Sequence, residues 1–338
     1  MQDFYHGRFE SIQVLRGIAA VFVLFEHIRF LNCGAFGVDI FFCISGFMMM
    51  LSTHKGLDRY WQKRLTRVLP LYYLMTIFTF LCLLFIPSMF EVSTADPIQL
   101  VKSLCFIPFD IGGGVIQPLV RVGWTMNYEM FFYLIFYLSA RLSNRYRGLI
   151  CSIILVAVHL FVKVFSPGSI ILSFYGDSVI LEFALGILAF YICRWIYGKK
   201  DAGKIGKIAA TVSLFLAVIF FVMLVLMKAR IYRVGFYRVL WWGIPAWIVV
   251  VATFTAGLFF HSARVLVLVG NMSFSIYLLH YYPVMLLDRK VFDFSVVNVK
   301  SVVGVFVTVL ICLGISFLSW HFFEQPVTGK CREWFQKK

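Results

Sequence analysis

Apolar residues in this chain run on in blocks about 20 residues long, separated by short clusters rich in Lys, Arg, Gly and Pro. A block of that length makes enough helix to cross the roughly 30 Å hydrocarbon core of a bilayer. Ten blocks are predicted as spans, near 12–30, 36–52, 72–88, 124–140, 148–165, 171–193, 208–227, 240–260, 265–287 and 300–322. Each is expected as a helix, because in hydrocarbon every backbone N–H and C=O must be bonded within the segment or to a sheet that closes on itself. The predicted architecture is all-α: a polytopic membrane protein of about ten transmembrane helices in one domain, 1–338. The longest stretch between predicted spans, 89–123, is expected as an outer loop or cap. The first block is too long for the core of a cleavable signal peptide and lacks a small-residue cleavage site, so no such leader is expected.

Composition agrees with the pattern. Of 338 residues, 61% are hydrophobic and only 14% charged, against about half and a quarter in soluble domains. The 31 Lys and Arg set an orientation. They cluster in 53–71, 141–147, 194–207 and 330–338, which lie on one side if both termini are cytoplasmic, so the topology is read as N-in and C-in. Lys228, Arg230, Arg233 and Arg238 disagree, falling in a loop this topology puts outside: either a span is miscounted, or the basic loop meets an anionic partner. The net charge of +15 is assigned to anionic lipid headgroups rather than to nucleic acid. Eight scattered cysteines without a Cys-x-x-Cys pair imply neither a disulfide framework nor a metal site.

Against this apolar background the titratable residues stand out, since charge at membrane depth is costly and usually lines a pathway or reaction site. Arg16 and His27 lie eleven residues apart in "SIQVLRGIAAVFVLFEHIRF", about three turns, so they share one helix face some 16 Å apart. On the outer half the topology places His27, Asp39, Glu129 and His280; on the inner side it places Arg16, Lys63, Arg64 and Arg67. One end thus has groups suited to acid–base work and the other a basic cluster.

Taken singly, several of these have plainer explanations. Basic residues at 63–67 also serve as orientation signals, although Arg64 and Arg67, three apart, converge on one face and suit phosphates. Gly37, Ser45 and Gly46 suit close helix packing. Asp39 is expected to orient His27 as in a catalytic dyad, or to be solvated at a span boundary. Glu26 projects about 100° from His27 and is the poorer partner. Glu129, one turn below Trp124, enters an apolar span without a nearby cation. Glu182 is expected to pair with a cation from another helix. His280 is read either as a site residue or as a satisfied core histidine, and isolated His159 as the latter.

These residues also carry a resemblance. "LRGIAAVFVLFEH" reproduces the Arg-x(10)-His pattern of the bacterial acyltransferase-3 family of integral membrane proteins. "FGVDIFFCISGF", "KRLTRVLPLYY", "WTMNYEMFFY", "EFALGILAF", "SFSIYLLHYYPV" and "FFEQP" follow in that family's order. The blocks cover nearly the whole chain, and their joint order is far more specific than any one of them. The chain is most similar to exopolysaccharide and O-antigen type members without an appended soluble domain. Thr125-Met126 replace the commoner Ser-Leu, and Asn127-Tyr128 is unusual before the Glu.

The resemblance implies a ten-helix fold, acyl-CoA (acetyl-CoA first) as donor, and a hydroxyl of an extracytoplasmic or lipid-linked glycan as acceptor. It makes Arg16 and His27 the essential pair and gives Arg64 and Arg67 the CoA phosphates. Glu129 and His280 then line the core. The resulting expectation is a multi-pass acyltransferase of the bacterial inner membrane. His27, Arg16, Asp39 and Glu129 are catalytic; Arg16, Lys63, Arg64 and Arg67 bind the donor; Trp124, Glu129, His280 and Ser45 line the acceptor site. No metal or nucleic acid is expected, and the oligomeric state is left open. The alternative is a proton-coupled glycan or lipid transporter.

Overall fold

The computed structural model describes residues 4, 5, 7, 9–28, 31–87, 90, 94–165, 168–199, 203–226, 236–288 and 302–336. Helices dominate: α1 (Glu10–His27), α2 (Gly37–Ser52), α3 (Tyr60–Phe85), α4 (Pro97–Leu104), α5 (Trp124–Leu142), α6 (Arg147–Phe165), α7 (Ile170–Tyr175), α8 (Leu181–Tyr197), α9 (Gly203–Leu226), α10 (Ile244–Gly257), α11 (Arg264–Asn271), α12 (Ser273–Leu279), α13 (Tyr281–Asp288), α14 (Val302–Ser319) and α15 (Gln325–Gln336). Widened helical turns, Val239–Gly243 and Trp320–Glu324, lead into α10 and α15.

A helix overlies each of the ten predicted segments, and most of these helices are long and apolar enough to cross a membrane. Among the described residues six helices pass on both length and apolar character, and seven if α11 and the segment Ser273–Leu287, bent by 52° at their junction, count as one span. α2 is apolar but shorter. α1 and α5 fall outside this set for a chemical reason: α1 carries Glu10, Arg16 and Glu26, and α5 adds Asn127 and three tyrosines to Glu129 and Arg141. These two helices furnish much of the polar interior.

Two backbone-to-backbone contacts set the middle of the bundle. α2 packs closely on α8, where Gly46 and Gly186 face each other: a Cβ on Gly46 would run into Phe183 O, and one on Gly186 into Cys43 O. α1 crosses α11 in the same way, with a Cβ on Gly17 reaching 2.7 Å from Gly270 N. Lipid tails are as apolar as leucine, so close backbone approach, not hydrophobicity, drives such contacts. Pro70 lies inside α3. It cannot donate to Thr66 O, and that carbonyl instead takes Thr328 Oγ1 of α15 at 3.4 Å.

The core is aromatic. Phe42, Phe132 and Phe183 stack between α2, α5 and α8, and Phe9, Phe47, Phe190 and Phe254 fill the next layer. Within it sit the fully buried polar side chains Asp39, Glu182, Ser275 and His280.

Candidate active site

α1 presents its titratable residues to two cavities. The first, about 80 Å³, is lined by Arg16 from α1, Ser45 from α2, Arg64 and Arg67 from α3, and Glu129 and Tyr133 from α5. The second, about 280 Å³, is lined by Glu26 and His27 at the far end of α1, with Gln117, Arg121, Trp124 and Arg238. Val38 and Tyr277 belong to both linings and form the partition between them. Tyr277 is pinned there: its hydroxyl donates to Val122 O at 2.9 Å and lies 2.7 Å from Thr125 Oγ1.

The first cavity is a guanidinium chamber. Arg64 stacks against Tyr60 and Tyr133, its Cζ 5.5 and 5.9 Å from their ring centres, and its Nη2 donates to Ser52 Oγ. Among the described residues its buried Nε has no hydrogen-bond partner, nor does Ser273 Oγ on the same wall. Buried polar atoms normally find a partner, so these two mark a place built to receive a polar guest. Glu129 belongs to this chamber, accepting from Ser45 Oγ and, at 2.6 Å, from the Tyr133 hydroxyl. The expectation that it stands with His27 on the outer half is corrected: its two oxygens are engaged on the arginine side. Adjacent positions project about 100° apart on a helix, so Ser45 reaches Glu129 while Gly46 meets α8. For the same reason Lys63 leaves the cluster. It is exposed, and its Nζ donates to Asp58 O at 2.9 Å.

The imidazole that lines the second cavity, His27, backs onto another that is buried behind it, His280. His27 closes α1, and His280 sits at the joint between α12 and α13. His280 Nε2 lies 3.1 Å from His27 Nδ1. Each Nδ1 also faces a carbonyl four residues back, Val23 O and Ile276 O, both at 2.9 Å. Carbonyls only accept, so both Nδ1 atoms carry the proton. His27 Nδ1–H is then shared with the lone pair of His280 Nε2, leaving His27 Nε2 unprotonated. The resemblance placed His280 as a lining residue; the geometry makes it the neighbour of His27.

Asp39 is committed elsewhere. Arg238 Nε and Nη2 bind its two carboxylate oxygens at 3.0 Å each, and Arg238 Nε stands 3.7 Å from Glu182 Oε1. This corrects two expectations. Asp39 is the partner of Arg238 rather than of His27, and Arg238 is a nearly buried internal cation rather than part of an outer basic loop. A buried carboxylate needs such a partner, and this one lies 199 residues away. Lys228, Arg230 and Arg233 fall outside the described residues. Glu182 is paired across helices, as expected. Arg238 also lies over Trp124, 5.9 Å from its ring centre, on the wall of the His27 cavity.

Sequence reasoning passed over Tyr133, Tyr277 and Arg121. Tyr133 had a signal, standing four residues after Glu129 on the same face. Tyr277 and Arg121 had none, because what places them is the meeting of distant helices.

A model of the acyltransferase domain family, Acyl_transf_3, matches residues 9–321. The chain belongs to this acyltransferase family. Within it, the chain is similar to the exopolysaccharide production protein ExoZ of Rhizobium meliloti, 31% identical over 188 residues, 54% of this chain and 57% of that protein. It is also similar to the O-acetyltransferase OatA of Staphylococcus aureus, 25% identical over 365 residues, 98% of this chain and 59% of that protein. The chain thus spans well under two thirds of these relatives. No solved structure matches it. For a member of this acyltransferase family, the pairing of an arginine chamber with a bare imidazole nitrogen is the arrangement to explain.

Proposed function

We propose that this protein is a membrane O-acyltransferase that moves an acyl group, acetyl first, from cytosolic acyl-CoA to a hydroxyl of an extracytoplasmic or lipid-linked glycan. The names of the relatives, O-acetyltransferase and exopolysaccharide production protein, support the acetyl group and the polysaccharide acceptor. Its setting in this reading is the bacterial cytoplasmic membrane, crossed ten times with both termini inside, with lipid as its solvent.

The observation that carries the reading is the pair of abutting cavities strung along α1, three arginines lining one and His27 the other. Eleven residues of helix separate Arg16 from His27, about 16 Å, comparable with the extended pantetheine arm. The donor enters from the arginine side, its phosphates drawn by Arg64, Arg67 and Arg16, whose forked donors suit them. Arg64 Nε and Ser273 Oγ supply unfilled bonds for the polar arm. The acceptor sugar occupies the His27 cavity against Trp124. Its hydroxyl oxygen attacks the thioester carbonyl and gives its proton to His27 Nε2. As the C–O bond forms and the C–S bond breaks, that proton passes to the departing CoA sulfur. His280 Nε2 accepts His27 Nδ1–H and steadies the charge that develops on the ring. Glu129, held by Ser45 and Tyr133, balances the arginines of the donor chamber, and Asp39 acts through Arg238 on the acceptor wall.

The test is acyl incorporation into surface polysaccharide by His27→Ala at matched membrane abundance. A positioned general base contributes roughly 10²- to 10⁴-fold, so a loss of at least about a hundredfold is expected; undiminished acylation rejects the assignment. Arg64→Ala with Arg67→Ala is expected to raise the acyl-CoA requirement. Movement of glycan without loss of the thioester would instead favour the transporter.

A further inference from the structure

The donor chamber is too small for a whole donor. At about 80 Å³, by a measure in which one water needs about 10–15 Å³, it takes a slender arm and excludes a nucleotide. The nucleotide therefore has to lie outside, within one diphosphate of Arg64. A groove of about 390 Å³ opens there, at the start of α3, lined by Arg59, Tyr60, Trp61, Gln62, Tyr137 and Phe335 together with two leucines.

We propose that this groove is the binding site for the adenosine 3′-phosphate part of the donor; the inference rests on the acyl-CoA reading above. Three observations carry it. The first is continuity: the ring of Tyr60 borders the groove, Arg64 lies over that ring, and the Tyr60 hydroxyl donates to Tyr133 O at 2.7 Å, so one side chain joins the groove to the wall of the chamber. The second is chemistry. Trp61 and Tyr137, ring centres 5.5 Å apart and tilted by 49°, leave no slot between them but offer an aromatic wall against which one base stacks. Gln62 adds an amide, which matches the adenine edge with a donor and an acceptor. The third is charge. Arg59 is exposed at the lip of the groove, in the left-handed region (φ 48°) just ahead of α3. A side chain pays strain to sit there, and this one makes no hydrogen bond among the described residues. Arg59 takes the 3′-phosphate, while Arg64 takes the diphosphate that leads into the chamber.

The experiment compares two donors on the full-length protein in vesicles: acetyl-CoA, and acetyl-4′-phosphopantetheine, which lacks the adenosine 3′,5′-bisphosphate part. Trp61→Ala is expected to raise KM for acetyl-CoA roughly 10- to 100-fold, the range base–aromatic stacking supports. Its kcat, and KM for the truncated donor, are expected to change less than about twofold, and Trp61→Phe to restore most of the difference. Adenosine 3′,5′-bisphosphate is expected to compete with acetyl-CoA in the wild-type protein and to lose potency in Arg59→Gln, a readout that does not depend on Trp61→Ala folding. Equal effects on both donors, or no competition by the bisphosphate, would overturn the proposal. So would an effect of Trp61→Ala that follows the anionic lipid content of the vesicles, which would assign the groove to headgroups. A wild-type protein that uses acetyl-phosphopantetheine but gains nothing from the nucleotide sinks the groove alone. One that uses neither donor sinks the acyl-CoA reading, and the groove with it.

Discussion

At the scale of single residues, the site turns on which nitrogen of His27 is free. The Val23 carbonyl decides this by taking Nδ1–H, and in the proposed reaction His280 Nε2 gives the developing imidazolium a second acceptor. His280→Phe keeps the bulk and removes the lone pair. It is expected to lower kcat about tenfold while leaving KM for acyl-CoA within about twofold, and His280→Gln, whose amide oxygen accepts, to recover part of the loss. A simple packing defect would move both constants and would not respond to Gln. Arg16, His27, Arg64 and Arg67 were legible in the sequence because helical spacing alone puts such residues on shared faces. The partners of Asp39 and Glu129 were not. A carboxylate in an apolar run announces that it needs a donor, yet nothing local says whether the donor is an imidazole nearby or Arg238 from 199 residues away.

At the scale of elements, the apolar blocks located the helices well, because a bilayer leaves backbone polar groups few other solutions. Which of them cross is another matter. α1 and α5, which line the two cavities, are the least like ordinary spans, and the break between α11 and α12 falls at Met272, two residues after Gly270, inside what reads as one apolar block. Glycine, by contrast, acts as the sequence suggests. Gly186→Ala pushes a methyl group into the backbone of α2. The cost expected for such overpacking is about 1–3 kcal/mol, seen as a lower thermal unfolding midpoint in detergent, with Ala substitution at exposed Gly314, which meets nothing within 4 Å, near neutral.

At the scale of the whole molecule, the charge asymmetry read from the sequence survives as two chambers of different character, though Glu129 changed sides and Lys63 left the set. The wall between them was invisible beforehand, since Val38 and Tyr277 come from unrelated segments and look like any apolar and aromatic lining. That wall has an electrical consequence. In the proposed reaction the anionic end of the donor stays on the arginine side, and only an uncharged arm and a neutral acetyl group pass Val38 and Tyr277. The hydrogen lost by the acceptor ends on sulfur. An elementary charge carried through the full field is worth about 2.3 kcal/mol per 100 mV, close to a fiftyfold change in rate. In proteoliposomes clamped by potassium gradients, acetyl transfer is therefore expected to vary less than about twofold between 0 and roughly −100 mV. On the proposed reading, the same wall makes a cell's resting voltage irrelevant to acyl transfer across its membrane.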